Sequence, residues 1–141
     1  MRFWDTSAIV PLVIAESASP KVKNWVRSDS EIIVWTLTRV ELLSAIARRR
    51  REDSRSLSML AAARRNIVRA WDGWSEITAV ELVRRHAERL VEAYPLRAAD
   101  ALQLGAALIA AEDNPRNLEF VTLDRSLADV AEREGFPVLG P

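Results

Sequence analysis

The chain has 141 residues, 49% of them hydrophobic and 28% charged, which is the size and balance of one globular domain spanning residues 1–141. Twenty basic and twenty acidic side chains cancel, so attachment to nucleic acid by bulk positive charge is excluded and any such role needs a local patch. The absence of cysteine removes disulfide scaffolds, zinc–cysteine sites, iron–sulfur clusters and thiol nucleophiles, and a single histidine removes paired-histidine metal motifs.

Arg2-Phe3-Trp4 enters structure at once, with no signal-peptide core before it. No apolar run approaches the ~20 residues of a membrane span, so a cytoplasmic protein is expected. Arg2-Phe3-Trp4 reads as a strand, and Asp5-Thr6-Ser7 as a turn carrying helix N-cap residues. A short helix is expected over Ala8–Ala15 with Pro11 in its first turn, then another over Ser19–Arg27 with Pro20 near its start. Ile32-Ile33-Val34-Trp35 is a β-branched and aromatic run, the mark of a strand buried on both faces.

Thr38-Arg39-Val40-Glu41 fits a capping box at the start of a helix. Val40, Leu42, Leu43, Ile46 and Ala47 form the apolar stripe of that helix, and Arg48–Arg51 end it. A helix over Ser56–Ala70, with Leu57, Leu60, Ala61, Ile67 and Val68 inward, pairs with it. Trp74–Ile77 is a weak strand. Thr78-x-x-Glu81 is a second capping box, opening a helix that Tyr94-Pro95 breaks. Ala98–Ala111 is a helix of small residues suited to close packing. Leu118–Thr122 is a strand, a helix capped by Asp124 or Ser126 runs to Glu134, Gly135 stops it, and Pro137-Val138-Leu139 is a last strand. Strands alternate with helices and no tight hairpin joins two strands, which predicts an α/β fold with a mostly parallel sheet.

Charge is uneven along this plan. Residues 1–38 balance to zero, residues 39–71 carry +6 and residues 72–141 carry −6. The basic middle reads either as solvated helix faces or as a surface for phosphates or an acidic partner.

The acidic residues fall at suggestive places. Asp5 and Asp124 follow strands, and ligands of open parallel sheets bind beyond the carboxyl ends of strands. Glu41 and Asp100 lie in early turns of helices. Each also reads as a cap or as favourable charge at a helix N-terminus. Together, four carboxylates from four segments would repel and raise one another's pKa values, and a cation would remove that cost. Oxygen ligands without histidine or cysteine match Mg²⁺ or Mn²⁺.

Asp5-Thr6-Ser7-Ala8, Thr38-Arg39-Val40-Glu41-Leu42, Ala99-Asp100-Ala101-Leu102-Gln103-Leu104 and Val121-Thr122-Leu123-Asp124-Arg125-Ser126-Leu127-Ala128 occur in that order, closed by Gly135-Phe136-Pro137-Val138. This set resembles the PIN-domain family, specifically the VapC-like ribonuclease toxins of type II toxin–antitoxin modules, over nearly the whole chain. The resemblance implies a three-layer α/β/α sandwich around a mostly parallel sheet. It implies a metal-dependent endoribonuclease in which Asp5, Glu41, Asp100 and Asp124 are the metal-binding and catalytic carboxylates, holding Mg²⁺ or Mn²⁺. Thr6 and Thr122 match polar neighbours that support those ligands. Many relatives carry histidine where this chain has Gln103. The resemblance further implies an RNA substrate, a protein antitoxin and a homodimer. Leu12, Val13, Leu42, Leu43 and Ile46 are expected to line an apolar groove for the antitoxin, because their helices flank Asp5 and Glu41.

Other residues have plainer readings. His86 lies on an apolar helix stripe and reads as a packed or half-exposed histidine. Trp4 and Trp35 read as core, whereas Trp25, Trp71 and Trp74 suggest a partner surface. Ser7 lacks a histidine–aspartate pair and is no nucleophile. Arg39 suits either a phosphate or an ion pair with the carboxylates. Two competing readings stand beside the nuclease: a catalytically inactive PIN-like binding module, and a metal-dependent phosphatase-type α/β domain. The second lacks an Asp-x-Asp after the first strand, since position 7 is serine.

Overall fold

The computed structural model describes residues 1–53 and 57–141. Arg55 of the basic segment and Ser56, the expected start of a helix, lie outside the described residues. In chain order the elements are β1 (Arg2–Trp4), α1 (Thr6–Val13), α2 (Ser19–Ser28), β2 (Ile32–Trp35), α3 (Thr38–Glu52), α4 (Leu57–Trp71), β3 (Ser75–Ile77), α5 (Val80–Ala93), α6 (Ala98–Ala110), β4 (Glu119–Val121), α7 (Arg125–Arg133) and β5 (Val138–Leu139), with a 3₁₀ turn at Pro115–Asn117. Among the described residues, no helix is long and apolar enough to cross a membrane.

The strands form one sheet in the order β3-β2-β1-β4-β5, and every neighbouring pair is parallel. Phe3 lies opposite Ile33 on one side and Phe120 on the other. The two-residue period of a strand sends successive side chains to opposite faces. Phe3, Ile33, Trp35 and Phe120 therefore pack with α5, α6 and α7, while Trp4, Ile32, Val34 and Val121 pack with α1, α2, α3 and α4. The result is the expected α/β/α sandwich, with an apolar core on each face of the sheet. All four residues of β2 are buried, as a strand covered on both faces requires.

The alanine-rich α6 packs closely on α5. A Cβ on Gly105 would sit 2.9 Å from the Val83 carbonyl oxygen, so only glycine lets the two backbones approach this far. Gly135 adopts φ +100° beyond α7, the left-handed stop expected of it.

Several local readings change. Asp5 itself caps α1, so the helix begins at Thr6 and Pro11 falls in its second turn, not its first. Neither capping box forms. Leu37 and Ala79 occupy the N-cap positions with no side-chain bond, and Glu81 instead pairs with Arg85 at 2.8 Å. On α4 the buried face is Leu60, Ala63, Ile67 and Trp71, while Leu57, Ala61 and Val68 are exposed. Residues at i, i+3, i+7 and i+11 share one helical face, and the large aromatic at the end fixes which face it is. Val40 is exposed, not part of the α3 stripe.

The tryptophans are intramolecular. Trp4 and Trp35 are fully buried, as expected. Trp25 packs edge-on to Trp4 and Trp71 is buried against a tilted Trp74, which takes Trp71 out of the surface while Trp25 and Trp74 stay half-buried.

Candidate functional site

From β1 the sheet grows through β2 to β3 on one side, and through β4 to β5 on the other. The switch point therefore lies between β1 and β4, and a crevice opens beyond their carboxyl ends. Asp5 directly follows β1, and Asp124 follows β4 after Thr122 and Leu123. Helix α3 brings Glu41, and α6 brings Asp100. All four carboxylates line one open cleft of about 530 Å³, together with Thr6, Ser7, Ser44, Arg48 and Arg97.

Asp5 is buried, with 4% of its surface exposed. Its Oδ2 accepts from the Ser7 amide at 3.1 Å, from Ser7 Oγ, and from Thr122 Oγ1 at 3.0 Å. These bonds favour the anion, yet burial outweighs them and pushes the carboxyl up to about 6, with the Glu41 charge adding to the rise. Thr122 does further work. Its hydroxyl oxygen accepts the Asp124 amide at 3.1 Å, so one side chain ties the strand-end Asp5 to the turn that carries Asp124.

Glu41 is held at both oxygens. Oε2 accepts from Thr6 Oγ1 at 2.8 Å and Oε1 from Gln103 Nε2 at 3.2 Å. Its carboxyl is raised above the usual range by burial, which those two bonds oppose and the Asp100 charge reinforces. Gln103 is fully buried and also reaches Thr6 Oγ1 at 2.8 Å and Thr38 Oγ1 at 2.9 Å. This explains the unformed capping box on α3: Thr38 and Glu41 are engaged by Gln103 instead of by each other.

Asp100 accepts from Arg97 Nε at 3.0 Å, and Arg97 Nη2 lies 3.9 Å from Asp124 Oδ2. Asp124 Oδ1 caps α7 by accepting from the Leu127 amide at 2.9 Å. Each carboxylate is thus engaged by protein donors. Among the described residues no three acidic side chains stand as a ready metal-ligand group. The expected residues share one cleft, but their oxygens are not drawn onto one point. The donor set is all oxygen, from carboxylates flanked by hydroxyls, which is the chemistry that a hard divalent cation takes. Asp5 Oδ1 takes part in none of the described hydrogen bonds.

The remaining sequence-derived residues divide. Leu42 and Ile46 are core, at 1% and 5% exposure, while Leu12, Val13 and Leu43 are half-buried. The Arg39 guanidinium lies over the Trp71 ring at 5.8 Å and takes no place in the cleft lining. His86 pairs with Asp113 at 3.3 Å. The basic middle is not one patch. Arg48 lines the cleft, Arg49 pairs with Glu16, and Arg50, Arg64 and Arg65 line a separate pocket between α3 and α4. Arg48 belongs to the basic segment already offered as a phosphate surface, whereas Arg97 carried a signal of its own, lying three residues before Asp100 at helical spacing.

No curated protein matches the chain. The fold is similar to the crystal structure of PAE2754 from Pyrobaculum aerophilum, with a TM-score of 0.63, 21% identity, and coverage of 99% of this chain and 87% of that one. The family model of the PIN domain matches residues 2–133. That match spans nearly the whole chain and agrees with the sheet order, so the chain belongs to the PIN domain family, whose fold is of nuclease type.

Proposed function

We propose that the chain is a divalent-cation-dependent endoribonuclease of the VapC-like toxin type, acting in the cytoplasm as one domain and neutralised by a protein antitoxin. The observation that carries this reading is the convergence of Asp5, Glu41, Asp100 and Asp124 on one cleft at the switch point of the sheet. Asp5, Glu41, Asp100 and Asp124 would hold Mg²⁺ or Mn²⁺, which when bound neutralises phosphate charge and lowers the pKa of water. The chain's own part is positional. Ser7 and Thr122 fix Asp5, while Thr6 and Gln103 fix Glu41, so the carboxylate geometry is set before substrate arrives. Buried Asp5 and half-buried Glu41 carry an unfavourable charge that a bound cation relieves. The resemblance adds hydrolysis products with 5′-phosphate and 3′-hydroxyl ends.

The test is cleavage of structured and unstructured RNA by nuclease-free protein in Mg²⁺ or Mn²⁺, with and without EDTA. Metal-dependent cleavage supports the proposal. No cleavage of any RNA, together with retained partner binding, favours the catalytically inactive module. The homodimer belongs to the same proposal and is read by sedimentation at micromolar concentration, where a strict monomer contradicts it.

A further inference from the structure

Two basic residues line the carboxylate cleft: Arg48 on α3 and Arg97 at the N-cap of α6. Arg48 lies two turns beyond Glu41 on the face that also carries Ser44 and Ala45, about 10 Å along the helix axis. Its neighbour Arg49 is engaged by Glu16, but Arg48 pairs with no acid among the described residues. Arg97 has a largely exposed side chain, 80%, and uses Nε on Asp100; its Nη2, at 3.9 Å from Asp124, is beyond hydrogen-bond distance. A guanidinium has five N–H donors, so most of those on Arg97 stay available.

A cleft with four carboxylates repels a polyanion. Cations at its rim are therefore needed for RNA to settle there, and the planar guanidinium suits phosphate oxygens in paired hydrogen bonds. Resting on the nuclease reading above, we infer that Arg48 and Arg97 form a two-point clamp on the RNA backbone, holding the phosphates on either side of the one presented to the carboxylates. Such contacts fix register and carry no base information, so the clamp positions the strand without selecting its sequence.

The experiment reads binding apart from cleavage. Labelled single-stranded RNA is titrated against the full chain carrying Asp5→Asn, with and without Arg48→Gln or Arg97→Gln. Each arginine substitution is expected to weaken binding about tenfold and to lower the slope of log affinity against log salt by about one. RNAs with one neutral methylphosphonate linkage then locate the contact. At one linkage the loss seen in the parent is absent in Arg48→Gln, and at another it is absent in Arg97→Gln. In the chain with Asp5 intact, Arg48→Gln raises KM and leaves kcat near its parent value. Unchanged affinity and salt slope in both arginine variants would overturn the clamp, as would losses that simply add at every linkage. Cleavage by the intact chain with arginine-independent binding sinks the clamp alone. Arginine-dependent binding with no metal-dependent cleavage sinks the nuclease reading and leaves the clamp standing.

Discussion

Thr6 Oγ1 donates to Glu41 Oε2 over 2.8 Å while accepting from Gln103 Nε2 at the same distance. One hydroxyl thus joins the first residue of α1, the first turn of α3 and the buried face of α6. Substituting Gln103 with leucine removes the donor shared by Thr6, Thr38 and Glu41, and Thr38 is fully buried. The expected cost is about 1–3 kcal/mol of stability, the penalty for stranding buried polar groups. Urea denaturation measures it, and an unchanged midpoint contradicts the role given to Gln103.

Asp5→Asn has an unusual expected sign. The Asp5 carboxyl titrates near 6 in the folded chain against an ordinary value of 3.8. The folded state therefore binds the proton more tightly than the unfolded state. Asp5 favours folding below about pH 4, and that advantage is lost as pH rises through 6. Asparagine cannot ionise and escapes the loss. In metal-free buffer the variant should gain on the wild type between pH 4 and pH 7, by about 3 kcal/mol at most. Denaturation at the two pH values checks this; a stability difference that does not move with pH contradicts it.

Gly105→Ala is expected to destabilise even though alanine is the better helix former. The new Cβ meets the Val83 carbonyl oxygen at 2.9 Å and the Ala87 nitrogen at 3.3 Å, both backbone atoms that cannot swing aside. Overpacking of this kind costs about 1–3 kcal/mol. A thermal midpoint equal to or above that of the parent would show that α5 and α6 separate more easily than their packing suggests.

Much of the fold is legible in the sequence because its signals are local. The β-branched run of β2, the glycine after α7 and the alanine-rich α6 each specify their element through side-chain shape and backbone freedom. The first capping box failed for a tertiary reason. Thr38 and Glu41 have the right types and spacing, but Gln103, far along the chain, takes both. The Trp71 reading failed likewise, since only the packed structure shows that this ring is buried against Trp74.

The cleft was legible as a set of positions, because carboxylates after strands of a parallel sheet share one edge. Its detail was not. Ser7 looks idle without a histidine, yet its hydroxyl and amide both hold Asp5. Arg97 also changes the electrostatics between Asp100 and Asp124; its spacing announces the pair with Asp100, but its approach to Asp124 comes only from the fold. Leu42 and Ile46 face the core because α3 must bury that side, which leaves only Leu12, Val13 and Leu43 of the expected groove partly accessible.

The most direct measurement is single-turnover RNA cleavage in Mg²⁺ by the wild type and by Asp5→Asn, with both proteins shown to be folded. Expected are EDTA-sensitive cleavage by the wild type, fragments ending in 5′-phosphate and 3′-hydroxyl, and a rate in the variant lower by at least about 100-fold. Cleavage by Asp5→Asn at the wild-type rate, or wild-type cleavage indifferent to EDTA, would contradict this expectation.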